Sequence, residues 1–499
     1  MLQPDICQRA VRARDVRFDG IFFVGITTTR VYCRPVCPAR VSYPERRRFF
    51  DSAASAERAG YRPCLRCRPE LAPGRALMDA VPRLARLAAQ RIAAGALNGQ
   101  SVADFAGDLG VSERHLRRAL ERELGVSPAE LAQTHRLLLA KRLLAETSLP
   151  VTRVAFASGF QSLRRFNAVF RERYRLSPSA LRRSAPSRSA GSATPGGDCV
   201  TLTLAYRPPL DWPLLLRRLA REAVPGVISV DGGRYARAVR LEGRTGAIAA
   251  SNVEARSHLE VAVSLSLLPA LMPLLTRLRH LFDLDAEPAM VDAHLAQHGL
   301  GPSVRRHPGM RIPGAMDGFE VVLRSLLDEE DEGLLERVVD GLGEGVETGL
   351  PQVFRLGPTA ESVAQAGASA LVQLGVSRPR AETVAAVART MAEGRLRLQP
   401  GSDVVATHRA LLEMNGMGER LATIIVMRAL YWPDAFPTAD AALQRAAGVA
   451  GRRELREHAE RWRPWRAYAA QHLWLEDELT PRAQRDSRRT SATATSPTI

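Results

Sequence analysis

Four cysteines near the start of the chain constrain it more than any other feature: Cys33 and Cys37 in Val31-Tyr-Cys33-Arg-Pro-Val-Cys37-Pro, then Cys64 and Cys67 in Pro63-Cys64-Leu-Arg-Cys67-Arg68. Two close pairs separated by a loop of about two dozen residues can bring four thiols to one point. That is the usual way for a short segment to hold one zinc ion. Cys7 and Cys199 stand apart from the pairs. Two structural disulfides are the competing reading, disfavoured because no apolar signal segment precedes the pairs. A zinc site made only of cysteines is by default closed and structural.

The flanking residues argue for more than a structural knot. The run Phe22-Phe23-Val-Gly-Ile-Thr27-Thr28-Thr29-Arg30-Val31-Tyr32-Cys33-Arg34-Pro35-Val36-Cys37-Pro38-Ala39-Arg40, followed by Gly60-Tyr61-Arg62-Pro63-Cys64-Leu65-Arg66-Cys67-Arg68-Pro69-Glu70, closely resembles the N-terminal domain of the Ada family of methylphosphotriester-DNA methyltransferases. The resemblance covers about the first 75 residues. It implies that Cys33, Cys37, Cys64 and Cys67 bind Zn2+, and that Cys33 is also the nucleophile that takes a methyl group irreversibly from a DNA phosphotriester. A metal keeps such a sulfur deprotonated at neutral pH, so it attacks without a base. Four thiolates on one zinc carry a net charge of about −2, which repels phosphates, and methylating one removes a unit of it. Damage would thereby become tighter DNA binding. Arg34, Arg40, Arg66 and Arg68 border the cluster and are expected to contact phosphates.

The chain of 499 residues carries a net charge of +17, and Lys141 is its single lysine. Such a chain seeks a polyanion, most simply double-stranded DNA. No run of apolar residues approaches a membrane span, so a cytoplasmic, nucleoid-associated bacterial protein without membrane contact is expected.

After Pro73-Gly74 the pattern turns helical, with Leu77, Val81, Leu84, Leu87 and Ala88 at helix spacing. Ser101 to Arg118 then reads as a short helix, a turn at Gly110 and a second helix capped by Ser112. A similar unit spans Val151 to Phe170, and the segment around Lys141 joins the two as one long helix. The pair resembles the AraC-type DNA-binding domain, most clearly in Ala155-Phe156-Ala157-Ser158-Gly159-Phe160 before Phe166 and Phe170. A rigid connecting helix can set two recognition helices in successive major grooves. Arg114, His115, Arg117 and Arg118, with Gln161, Arg164, Arg165 and Asn167, are the candidate readers. Leu116, Leu120, Val154 and Phe166 read as core.

Arg183 to Asp198 has the composition of a flexible linker. Strand signals follow at Val200–Tyr206, Tyr235–Leu241 and Leu259–Leu265, with a helix from Trp212 to Glu222, and the pattern is helical from about residue 268 to about 478. There Leu411 to Thr423 has the form of a helix-hairpin-helix, in which Gly416 and Gly418 permit a turn whose backbone N–H groups meet a DNA phosphate. Phe436-Pro437-Thr438-Ala439-Asp440 follows, then Trp462 to Trp474. This order resembles the AlkA-type 3-methyladenine DNA glycosylases over nearly all of residues 200 to 480. The resemblance implies a catalytic carboxylate at Asp440 and a base-stacking aromatic at Trp474.

Three departures cut against an active enzyme. Arg420 and Ile424 stand where the family's pocket carries aromatics, and the acidic segment Asp328 to Glu332, with Glu330 at the position of an apolar wedge, should oppose a phosphate backbone. Arg420 also occupies the place of a Schiff-base lysine, so hydrolytic, monofunctional chemistry is expected rather than lyase chemistry. The expected fold is multidomain α+β: a small zinc domain (1–75), an all-α AraC-type double helix-turn-helix (76–183), a flexible linker (184–198), an α+β domain (199–283), a mostly α helix-hairpin-helix glycosylase domain (284–479) and a disordered tail (480–499). The expected function is an alkylation-damage response that joins methyl transfer to Cys33, transcriptional activation through RNA polymerase, and excision of alkylated bases. The alternative is a methylation-responsive regulator with a degenerate glycosylase half.

Overall fold

A computed structural model describes residues 2–39, 42–73, 83–184, 198–327 and 333–480. Arg40, Leu77, Val81, most of the expected linker, the segment Asp328 to Glu332 with Glu330, and nearly all of the C-terminal tail lie outside the described residues.

The chain opens on a small four-stranded sheet in the order Arg47–Phe50, Phe23–Ile26, Val31–Cys33, Arg62–Pro63. Its last pairing is parallel, Val31 opposite Arg62 and Tyr32 opposite Pro63, and so sets the two cysteine pairs side by side. Phe23, Tyr32, Phe50 and Tyr61 fill one face and Cys7, Ala10, Val11, Phe22 and Val24 the other. Two such small clusters bury little apolar area, and a domain of this size ordinarily leans on a metal or a neighbour.

The neighbour is helical. Helices Val102–Asp108 and Glu113–Leu124 form the first helix-turn-helix, Val151–Ala157 and Leu163–Tyr174 the second, and the 19-residue helix Pro128–Glu146 joins them. Gly110 supplies the left-handed turn, with φ +69°, and Ser112 accepts a hydrogen bond from the His115 N–H at 3.3 Å, as its capping position requires. Leu116, Leu120, Leu124 and Phe166, Phe170, Tyr174 repeat at four-residue intervals and are buried, which turns the opposite face of each second helix outward.

Lys141 is no surface cation. It is 2% exposed, on the connecting helix, and its Nζ donates to the Cys64 carbonyl at 3.3 Å and pairs with Glu70. Arg68 bridges Glu70 and Glu146 at 3.1 Å each, and Glu146 in turn accepts from Arg142 at 3.1 Å and from the Thr203 N–H at 3.2 Å. Glu57 receives Tyr32 at 3.0 Å and Thr134 at 3.1 Å, and burial pushes its carboxyl up to about 7. The zinc-side domain is therefore docked on the connecting helix by buried, mutually satisfied charges.

The second half begins with a five-stranded antiparallel sheet in the order Cys199–Ala205, His258–Ser264, Arg244–Val253, Arg234–Leu241, Ile228–Asp231. The helix Trp212–Arg221 lies where the apolar pattern places it. Strand Arg244–Val253 escaped the sequence reading because its alanines and glycine have low strand propensity. Ala236, Ala238, Ala247 and Ala249 are small because a hairpin, Glu344–Leu350 with Val353–Leu356, packs Val353 and Leu356 against them. That hairpin interrupts a stretch expected to be wholly helical.

Hydrophobic burial does not divide at the expected linker. One cluster runs from Leu137 and Phe166 through Leu202, Val261 and Phe282 to Val384 and Leu430. A second, with Met427, Leu443, Trp462, Tyr468 and Leu473, forms the floor beneath Asp440. No helix among the described residues is long and apolar enough to cross a membrane.

Candidate functional site

The sulfurs of Cys33, Cys37, Cys64 and Cys67 all lie within 4.8 Å of one another. Tetrahedral coordination at Zn–S distances of about 2.3 Å places sulfurs about 3.8 Å apart, so the cluster fits zinc as it stands. Cys33 ends a strand, the Cys37 N–H closes a turn onto the Arg34 carbonyl at 3.1 Å, and the Cys64 N–H donates to the Tyr32 carbonyl at 2.9 Å. Backbone N–H groups aim at two sulfurs: Arg34 at Cys67 Sγ, 3.3 Å, and Arg66 at Cys64 Sγ, 3.4 Å. Such donors favour thiolate over thiol. Hydrogen bonds from Cys33 above all hold Cys37, at about 7, and Cys64 below the usual thiol range, while the same contacts push the donor Cys33 up. A shared metal ion removes that asymmetry by competing with the proton at every sulfur. Cys64 and Cys67 are 7% exposed, whereas Cys33 and Cys37 are half-buried and form the more accessible edge of the cluster. Cys7, 1% exposed with its thiol pushed up to about 11 by burial, is sequestered.

The expected ring of phosphate contacts needs correction. Arg34 is turned inward: its Nε donates to Asp19 Oδ1 at 2.8 Å, a second donor pairs with Asp19 Oδ2, and Nη1 meets the Cys67 carbonyl at 3.2 Å. Its guanidinium is committed to holding the cluster's frame. Arg68, with φ +51°, is likewise consumed by Glu70 and Glu146. Arg66 is exposed beside the cluster.

With the whole chain folded, Arg114, His115, Arg117 and Arg118 of the first recognition helix and Arg164 and Arg165 of the second remain exposed. Gln161 is also exposed, but its Nε2 donates to the Asn98 carbonyl at 2.8 Å, tying the second unit to the turn Ala96–Asn98 that precedes the first. Arg117 holds Glu113 at 3.0 Å.

In the second half, helices Val404–Leu412 and Glu419–Ala429 flank the expected hairpin. Only Gly416 needs to be glycine for conformation, at φ +80°, where a Cβ would come within 2.2 Å of Thr383 Oγ1. Gly418 caps the second helix in ordinary extended geometry, φ −73°, and a Cβ there would meet open space.

Asp440 is 4% exposed and caps the helix Ala441–Ala447, its Oδ1 accepting from the Leu443 N–H at 3.1 Å. Trp474 Nε1 donates to the same oxygen at 3.2 Å. Arg420 Nε donates to Oδ2 at 2.7 Å. The structure thus brings Asp440 and Trp474 into contact, and adds a partner, Arg420, that the sequence reading treated only as a departure. Behind them Asp283 is fully buried, held by Tyr431, by Tyr468 at 2.8 Å and by the Ile312 N–H at 3.1 Å, and desolvation pushes its carboxyl up to about 7.

Comparison with known proteins follows the same division. Residues 6–70 match the family described as the metal binding domain of Ada, 105–184 a helix-turn-helix domain, and 201–317 the AlkA N-terminal domain. With the four sulfurs converging, the first match makes zinc the metal of the thiol cluster. A probable bifunctional transcriptional activator/DNA repair enzyme AlkA of Mycobacterium tuberculosis is 37% identical over 482 residues, 94% of this chain and 95% of that protein. DNA-3-methyladenine glycosylase 2 of Escherichia coli is 32% identical over 56% of this chain and 98% of its own length. The bifunctional transcriptional activator/DNA repair enzyme Ada of the same organism is 32% identical over 29% of this chain and 40% of its own length.

Proposed function

This chain belongs to the family of bifunctional transcriptional activator/DNA repair enzymes of the AlkA type, and we propose that it senses alkylated DNA through Cys33, activates transcription, and excises alkylated bases such as 3-methyladenine at Asp440. One observation carries the reading: a single chain holds both a converging four-thiol cluster and a buried, helix-capping carboxylate under an indole.

Cys33, Cys37, Cys64 and Cys67 would hold the zinc, which would keep their sulfurs deprotonated at neutral pH. The Cys33 sulfur attacks the methyl carbon of a phosphotriester in line; the S–C bond forms, the C–O bond breaks, and the phosphodiester departs with the electron pair as an oxyanion. The product is a neutral thioether, so the cluster loses one negative charge and its repulsion of DNA falls. Among the described arginines beside the cluster, exposed Arg66 is the one left to meet a phosphate. Arg114, Arg117, Arg164 and Arg165 then read promoter DNA, and the bound protein recruits RNA polymerase as an activator at the nucleoid.

At the second centre the backbone at Gly416 to Gly418 approaches a phosphate, Trp474 stacks on the extruded base, and the Asp440 carboxylate stabilises positive charge at C1′ while water adds there. No Schiff-base lysine is present at this centre, which supports a monofunctional glycosylase. The ion pair between Arg420 and Asp440 favours a second reading, a degenerate half that only binds DNA. Release of free base from alkylated duplex DNA by the full chain, lost in Asp440→Asn, is the expected result; no release from a folded, zinc-loaded protein leaves the regulator reading. For the first centre, the peptide containing Cys33 gains one methyl mass on exposure to methylated DNA, and the absence of that adduct overturns methyl transfer.

A further inference from the structure

The Asp440 carboxylate is held on both oxygens, with two donors on Oδ1 and the Arg420 guanidinium on Oδ2. It is buried, whereas the Arg420 side chain is 38% exposed, so any base that approaches the carboxylate passes a fixed positive charge beside the Trp474 indole. A lone carboxylate under an aromatic face attracts cations, and a guanidinium paired with it cancels that attraction.

Two kinds of damaged base respond oppositely to such a pair. N7-methylguanine and N3-methyladenine carry a positive charge in the nucleotide and leave as neutral molecules; they need no help in leaving, and a neighbouring cation repels them. A neutral lesion such as 1,N6-ethenoadenine leaves with the electron pair of the C1′–N bond, and negative charge grows on the departing ring. There a cation stabilises the transition state. The balance closes in both cases: the C1′–N bond breaks and water supplies the hydroxyl to C1′. The remaining water proton ends on the ring nitrogen of the neutral base, and for the cationic base it is released to solvent.

We propose that Arg420 is a specificity-determining residue of this centre, steering it toward lesions that are neutral in the nucleotide and away from those carrying fixed positive charge. The inference rests on the base-excision reading above.

The test uses the full chain and duplex oligonucleotides containing either 1,N6-ethenoadenine or N7-methylguanine, with single-turnover release measured for the wild type, Arg420→Gln and Asp440→Asn. Arg420→Gln is expected to lower the ratio of neutral to cationic excision by about tenfold or more, with cationic excision rising. A ratio that stays constant in Arg420→Gln, or equal losses on both substrates, overturns the proposal and reduces Arg420 to a structural partner of Asp440. A binding measurement guards against a misfolded variant: Arg420→Gln should shift preference toward a duplex bearing a cationic pyrrolidine abasic analogue over one bearing neutral tetrahydrofuran, and an unchanged preference counts against the proposal. Release by the wild type that is lost in Asp440→Asn, with a constant ratio in Arg420→Gln, sinks this inference alone. No release by any form sinks the excision reading and the inference with it.

Discussion

The thiol cluster and the Asp440 pocket treat an anion in opposite ways. At the thiol cluster Arg34 gives the sulfurs a backbone N–H and spends its guanidinium on Asp19 and the Cys67 carbonyl, so compensation of the cluster's charge falls to the metal. At Asp440 the guanidinium of Arg420 takes the carboxylate directly. The difference suits the chemistry. A nucleophile must keep an electron pair available, and an arginine clamped on it would compete with the incoming carbon; a carboxylate that acts through its field keeps working inside an ion pair, at reduced strength.

The largest effect expected of any change to this contrast is at the proposed nucleophile. Cys33→Ser should abolish methyl uptake altogether while base release from alkylated DNA continues, read by peptide mass and by free-base assay on one preparation. Loss of both activities would mean that the centres are not separable. Next in size is the buried lysine that braces the metal corner. Lys141→Met should cost about 3 kcal/mol in denaturant unfolding, the low end for a broken buried pair because Arg68 still faces Glu70.

The excision side carries the pH signature. Asp283 has a folded-state pKa raised to about 7 from 3.8. A carboxyl raised on folding contributes fully below its unfolded value, and that contribution is lost as pH rises through the folded one. Asp283→Asn should therefore flatten the decline of stability between about pH 4 and pH 7 by roughly a few kcal/mol, measured as melting temperature against pH. Trp474→Ala should follow, weakening base release by about 1–3 kcal/mol in kcat/KM if the indole stacks on the base, and leaving promoter binding untouched. Smallest and most discriminating are the two arginines at the metal cluster. Arg66→Ala should reduce the salt slope of DNA binding by about one ion, whereas Arg34→Ala should leave that slope alone and lower thermal stability.

Much of the molecule was legible from local pattern. The cysteine pairs, the Ser112 cap, the turn at Gly110 and the helix at Trp212 all depend on residues a few positions apart, and each stands as read. Reading failed where a residue's partner is remote in sequence. Strand Arg244–Val253 is alanine-rich because a hairpin about 100 residues later packs on it. Arg34 looked like a phosphate contact because Asp19 lies on a different turn of the same small domain.

The sequence alone determined which atoms are chemically competent, since four thiols at that spacing and an aspartate after the hairpin are properties of composition and interval. Only the tertiary structure decided how their charges are balanced. Whether an arginine faces solvent, a carboxylate 15 residues away or a buried aspartate 20 residues away depends on which surfaces fold against each other, and at distances near 3 Å in a low-dielectric interior that choice sets the charge each group presents.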